Sequence, residues 1–253
     1  MIYIKSEAEI EKMRVAGRIL AKVHEAVEKK IAAGVTTKEL DKVAYDTIIA
    51  HGATPSFLGL YDYPATINAS VNEEVIHGIP GPRKLKEGDI ISVDIGVYYD
   101  GFHSDAARTH AVGQISDEAR RLIEVTRQSF FEALKFCKEG MRVGDISNAV
   151  QSYVEAAGFG VLRNYTGHGV GKKLHEDPSV PNYGEAGRGP RLQKGMVIAI
   201  EPMVTQGTHR NKILGDDWTV VTLDGKLSAH YENTVVITDG EPEVLTLTEG
   251  EKC

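Results

Sequence analysis

The chain has 253 residues, 42% of them hydrophobic and 26% charged, the balance of an ordinary soluble globular protein. Its formal charge of −7 argues against a sequence-independent nucleic-acid binder, which carries a basic surface, and no apolar run of about 18 residues offers a membrane span. Cys137 and Cys253 are too few for a disulfide framework, and the charged start MIYIKSEAEIEKM is unlike a signal peptide, so a cytoplasmic protein without DNA or membrane contacts is expected.

In chain order, the first element is a helix over about Glu7 to Lys30, where Ile10, Met13, Leu20 and Val27 recur at helical spacing behind Ser6 as cap. A shorter helix runs from Thr37 to Ala50 and stops at His51-Gly52. Thr54 to Pro64, TPSFLGLYDYP, reads as a loop with exposed rings, and Thr66 to Val71 as a strand. Ile90 to Ala107 reads as a hairpin: Ile91, Val93, Ile95 and Val97 alternate with Ser92, Asp94 and Gly96, and Asp100-Gly101 supplies a two-residue turn. With that turn Tyr99 faces Phe102, Gly96 faces Asp105 and Asp94 faces Ala107. Asp94 and Asp105 are then diagonal neighbours on one face, about 7–8 Å apart between backbones. Two converging carboxylates need a shared proton or a cation between them; the alternative is two solvent-facing aspartates on an edge hairpin. Helices are expected again over Asp117 to Lys138 and Val143 to Ala157, then strands, including Met196 to Glu201 and two around the Asp224-Gly225 turn.

The sequence repeats itself. LKEGDIISVD from Leu85 matches LQKGMVIAIE from Leu192 in character at every position, 107 residues on. AAGVTTKEL around Gly34 matches KEGMRVGDI around Gly140, 106 residues on, and Gly52 and Gly158 keep that offset. Two halves, about 1–112 and 113–253, are therefore expected in a single α+β domain with one mixed or antiparallel sheet and four helices covering one face. The alignment sets Glu201 where Asp94 stands, so each half brings a carboxylate to the end of an apolar strand. His168, between glycines in TGHGVG, Asp105 and Glu232 join them as candidates, and Pro202 biases Glu201 to an extended backbone. Two Asp, two Glu and one His form a hard, oxygen-rich set suited to two divalent ions such as Mn, Fe, Co or Zn. Taken singly, each residue also reads as a solvated carboxylate or an ordinary core histidine.

Five ordered motifs then carry a resemblance: HGIP at His77, DIG at Asp94 with Asp105 eleven residues later, GHGVG with HEDP at His175, EPM at Glu201, and SAHYENT with Glu232. Together they resemble the methionine aminopeptidases across nearly the whole chain. The type I form fits, since Glu201 and Glu232 are only 31 residues apart, without the long insertion of type II. GHGVGKK lacks the spacing of a phosphate loop. The resemblance implies the pita-bread fold and two divalent metals (Co, Mn, Fe or Zn) on Asp94, Asp105, His168, Glu201 and Glu232, of which Asp105 and Glu232 bridge. It further implies that Glu201 takes the proton of the attacking water, His175 binds the scissile carbonyl, and His77 contacts the backbone beyond it and helps protonate the leaving amine. Phe57, Leu60, Tyr63, Leu174 and Trp218 would enclose the methionine side chain, and a monovalent cation (Na or K) would sit near Asn72, Glu74 and Ser228. The implied substrates are N-termini of nascent polypeptides with a small second residue (Gly, Ala, Ser, Thr, Cys, Pro or Val), met by a monomer with transient ribosome association. Leu60, Asn68 and Asn233 depart from residues usual in the family, respectively tyrosine, cysteine and histidine.

Two rivals stand beside this. A prolidase or aminopeptidase P of the same fold would carry a further N-terminal domain, whereas 93 residues precede Asp94 here. A non-catalytic binding protein on the fold would lose metal ligands and turn basic, whereas this chain keeps all candidates and is acidic.

Overall fold

Local sequence sets the helix starts. In α1 (Glu7–Glu28) the Ser6 hydroxyl accepts from Glu9 N while the Glu9 carboxylate takes the Ser6 N–H at 2.9 Å, and Thr36 and Glu39 repeat this reciprocal cap in α2 (Thr37–Ala50). Ser116 caps α3 (Asp117–Leu134), and α4 spans Val143–Ala156. The computed structural model describes residues 1–251, so Cys253 lies outside it, while Cys137 is a buried free thiol. The third helix stops short of the expected Lys138. Phe136 and Cys137 donate only three residues back, to Ala133 and Leu134, and Lys138 leaves to bridge Thr238.

Nine strands form a central sheet in which every pairing is antiparallel. Its order is Thr54–Pro55, Ile90–Tyr99, Phe102–Ala111, Glu232–Val236, Val197–Ile200, Thr166–Gly169 and Glu176–Pro181, with Ile67–Val71 also on Ile90–Tyr99 and Glu243–Val244 on Glu232–Val236. The hairpin register is the expected one: Tyr99 opposes Phe102, Gly96 opposes Asp105 and Asp94 opposes Ala107. The strands on either side of Asp224-Gly225 do not pair with each other. Val220–Thr222 joins Asn211–Ile213 and Glu74–Ile76, whereas Ser228–His230 joins Met203–Thr205. The Asp224 carboxylate takes the Thr208 N–H at 2.8 Å, tying the turn to the segment before Asn211–Ile213.

Strand alternation then decides which side chains reach the site. Ile91, Val93, Ile95 and Val97 pack with Leu20, Val23, Leu40 and Ile48 of α1 and α2, leaving Ser92, Asp94 and Gly96 on the opposite face. Ile198, Ile200, Tyr231 and Val235 pack with Leu122, Phe130, Ile146 and Val150 of α3 and α4, which turns Glu201 and Glu232 the other way. The strings that match in sequence make matching bonds. Gly34 N donates to Leu85 O at 2.8 Å and Gly140 N to Leu192 O at 3.0 Å, and the bridge Thr36–Lys84 has its counterpart in Arg142–Arg191. Gly34 and Gly140 have φ of 92° and 89°, a left-handed backbone that favours glycine.

Candidate metal centre

Strand pairing assembles the carboxylates. Thr234 Oγ1 accepts from Asp105 N and donates to Asp105 O, both at 2.9 Å, locking the Glu232 strand beside the Asp105 strand so that Glu232 opposes Ala107. His168 sits on Thr166–Gly169, whose glycines admit neighbouring backbone: a Cβ on Gly167 would lie 2.3 Å from Ala199 O. His168 Nδ1 is 2.9 Å from Gly169 O. A carbonyl can only accept, so Nδ1 carries the proton and Nε2 presents its lone pair, the tautomer a metal requires. That Nε2 stands 3.6 Å from Asp105 Oδ2 and 3.7 Å from Glu201 Oε1. Ligand atoms of Asp105, His168 and Glu232 fall within 4.8 Å of one another.

The electrostatics suit a bound cation. Asp105 and Glu232 are 3% and 2% exposed, and Asp94 Oδ1, Asp105 Oδ1 and Glu232 Oε1 have no hydrogen-bond partner among the described residues. Burial pushes all four carboxyls above the usual range. Asp94 and Glu201 add to the effect on Asp105, and Asp105, Glu201 and Asp94 to that on Glu232. Burial holds His168 neutral, down to about 3, with His175 beside it reinforcing the effect. Unpaired buried oxygens, mutual repulsion and a lone-pair imidazole make these residues candidate ligands for divalent metal.

Above this floor lies a cavity of about 420 Å³ lined by Asp94, Asp105, His168, Glu201 and Glu232, by His77 and His175, and by Phe57, Leu60, Tyr63, Leu174 and Trp218. Every site residue singled out in the sequence apart from the monovalent-cation group therefore meets at one cavity. Phe57 and Tyr63 are 7% and 4% exposed, contrary to the expected exposed rings, and only Tyr61 fits that expectation at 72%. The backbone explains this: Gly59, Tyr61 and Asp62 have positive φ, and a short 3₁₀ turn at Leu60–Asp62 folds Phe57 and Tyr63 inward against Leu174. The Tyr63 hydroxyl donates to Ile67 O at 3.0 Å, and Trp218 meets its ring edge-on at 4.9 Å between centroids. Asp216 takes the Trp218 and Thr219 N–H groups at 3.0 and 2.9 Å and so fixes the loop that delivers the indole. The His175 ring stacks under Tyr61 and meets His168 edge-on at 4.5 Å. His77, at φ 59°, lies between Tyr165 and Trp218, and burial lowers it to about 4. At the cation group, Ser228 N donates to Asn72 O at 2.8 Å, while Arg83 and the Val71 N–H occupy the Glu74 carboxylate, each at 2.7 Å.

Three neighbours were not picked out as site residues in the sequence. Asn68 opposes Asp94 in the strand register and donates Nδ2 to Asp94 Oδ2 at 2.7 Å. Tyr165 lines the cavity, and His230 lies 3.6 Å from Glu201. His230 had a legible signal: residues two apart in an extended chain share a face, and it stands two before Glu232.

Comparison with known proteins agrees with the geometry. The sequence matches metallopeptidase family M24 over residues 11–239. It is 57% identical over 247 residues to a methionine aminopeptidase of Clostridium perfringens, covering 98% of this chain and 99% of that protein. It is 52% identical to methionine aminopeptidase 1 of Bacillus subtilis, covering 97% and 99%. The crystal structure of methionine aminopeptidase from Thermotoga maritima superposes with a TM-score of 0.96 at 45% identity, covering 98% of this chain and 100% of that one. A prolidase from Pyrococcus furiosus shares the fold with a TM-score of 0.80 at 26% identity, and the match spans 97% of this chain but 66% of the prolidase. The pita-bread fold, the antiparallel core sheet and these similarities together mean that the chain belongs to metallopeptidase family M24, in its methionine aminopeptidase branch.

Proposed function

We propose that this methionine aminopeptidase releases N-terminal methionine from peptides and nascent proteins whose second residue is small, with Asp94, Asp105, His168, Glu201 and Glu232 holding two divalent ions. The observation that carries the reading is the convergence of four carboxylates, two of them buried and two nearly so, with a lone-pair His168 Nε2 at the floor of an aromatic cavity. When bound, the ions supply Lewis acidity that acidifies a water and polarises the scissile carbonyl. Oxygen donors with one imidazole suit Mn, Fe, Co or Zn. Glu201 receives the proton of the attacking water. His175, whose partial desolvation at the cavity wall lowers its pKa, donates to the carbonyl oxygen as negative charge develops there. The proton that Glu201 has taken is passed on to the departing amine, and neutral His77, hydrogen-bonded to the backbone beyond the scissile bond, helps relay it. Phe57, Leu60, Tyr63, Leu174 and Trp218 bury the unbranched thioether, which suits such walls. A sodium or potassium ion near Asn72, Glu74 and Ser228 would draw on main-chain carbonyls, because the Glu74 carboxylate is already occupied. We place the reaction in the cytoplasm, on chains emerging from ribosomes, and carried out by a monomer.

Release of free methionine from Met-Ala-Ser and Met-Pro peptides beside an Ala-Pro control, using chelated enzyme reloaded with Mn, Fe, Co or Zn, tests this. Metal-dependent release from Met-Ala-Ser with Ala-Pro intact is expected. Cleavage of Ala-Pro alone would assign the chain a prolidase-like specificity instead.

A further inference from the structure

His230 is a buried group that the assignment above leaves idle. It is 2% exposed, and its Nε2 has no hydrogen-bond partner among the described residues. That nitrogen lies 3.6 Å from Glu201 Oε2 and 3.8 Å from Glu232 Oε2. It comes at them from outside the substrate cavity, because His230 lines a separate cavity of about 280 Å³ with Arg108, Thr109 and Tyr231. Its backbone is held firmly: Thr109 Oγ1 accepts from His230 N and donates to His230 O, both at 2.9 Å, and His230 opposes Met203 in a strand ladder.

The ring is held without a bond that sets its tautomer. In His168 the Gly169 carbonyl claims the Nδ1 proton and frees Nε2 as a ligand. For His230, among the described residues, no carbonyl takes a proton from Nδ1, and the carboxylates at Nε2 stabilise the tautomer that carries its proton there. We propose that His230 is a positioning residue of the metal centre, whose Nε2–H is shared between Glu201 Oε2 and Glu232 Oε2 and so selects which oxygen of each carboxylate faces the metals. The inference rests on the ligand assignment proposed above. Its consequence is an energetic one, since partners that orient metal ligands are typically worth 10–100-fold in metal affinity.

Calorimetric titration of Mn²⁺ into chelated enzyme tests it, with visible spectra of the Co²⁺ form and far-ultraviolet circular dichroism as a check of folding. His230→Leu removes the donor, and His230→Asn keeps a polar group one carbon too short to reach. Both are expected to weaken Mn²⁺ binding by about 10–100-fold. His230→Gln restores an N–H at similar reach and is expected to keep the native affinity and the native Co²⁺ spectrum. Native affinity in folded His230→Asn or His230→Leu would overturn the proposal, and His230→Asn carries the test if the leucine variant does not fold. Weak binding with an altered Co²⁺ spectrum in His230→Gln would also overturn it, by making His230 a direct ligand. Glu201→Gln serves as the reference: native affinity there would overturn the ligand assignment itself.

Discussion

Lys5→Met should destabilise this enzyme far more than loss of an ordinary surface ion pair. Lys5 Nζ lies 2.8 Å from Glu176 Oε2, and both side chains are 5% exposed. The other Glu176 oxygen accepts from Lys173 N at 3.1 Å, so the carboxylate braces the loop that ends in His175. Packing around it is tight: a Cβ on Gly171 would lie 2.5 Å from Glu176 Oε1 and 2.8 Å from Lys5 Cε. An exposed pair is worth at most about 1 kcal/mol, but removing one partner of a buried pair strands the other charge, at about 3–5 kcal/mol. That is a large share of a typical total stability of about 5–15 kcal/mol. Replacing both partners, Lys5→Met with Glu176→Met, removes the stranded charge and should recover most of the loss, apart from about 1 kcal/mol for the Lys173 hydrogen bond. Urea unfolding of the metal-free single and double variants measures this, and turnover of Met-Ala-Ser should fall most in the single variant because His175 adjoins Glu176. A single variant that loses under about 1 kcal/mol, or a double variant less stable than the single, would refute the reasoning.

Other predictions concern the site directly. Burial pushes Asp94 up to about 6 and Glu201 up to about 8, above the unfolded value of about 4. A carboxyl raised on folding favours the native state below its unfolded pKa, and that advantage is lost as pH rises through the folded pKa. Below about pH 6.5 the buried neutral histidines, His77 and His168 among them, oppose this because they take up protons on unfolding. Thermal melts of chelated enzyme should therefore fall between about pH 7 and 8, and stabilisation by added Mn²⁺ should grow as pH rises towards about 8, where a gain independent of pH would contradict this. Asn68→Leu deprives Asp94 Oδ2 of its donor at 2.7 Å and should weaken Mn²⁺ binding by about 10–100-fold in calorimetry, where an unchanged affinity would count against the contact. Gly96→Ala would set a Cβ 2.7 Å from Phe57 Cε1 and from Ser56 Cβ. It should cost about 1–3 kcal/mol of stability and raise KM for Met-Ala-Ser more than it lowers kcat, which steady-state kinetics would show.

Local and periodic signals made much of this site legible. The Asp100-Gly101 turn set the register that brings Asp94 diagonal to Asp105, and the offset of 107 residues between matching strings led to Glu201. What escaped depended on packing between distant segments. Asn68 becomes a partner of Asp94 only once Ile67–Val71 pairs with the Asp94 strand. Phe57 and Tyr63 turn inward because of positive φ at Gly59, Tyr61 and Asp62, which aromatic composition does not reveal. The two strands expected beside Asp224-Gly225 are present, but that they join different sheets depends on partners far along the chain. His230 was legible by its spacing from Glu232, yet its proximity to Glu201 arises only from three-dimensional closure.

Under the proposed assignment, five residues hold two divalent ions at the floor of the aromatic cavity. Crystals of Mn²⁺-loaded enzyme, with diffraction recorded above and below the manganese absorption edge, test it most directly. Two anomalous peaks enclosed by Asp94, Asp105, His168, Glu201 and Glu232 are the predicted result. Peaks elsewhere in the molecule, with none among these five side chains, would contradict the account.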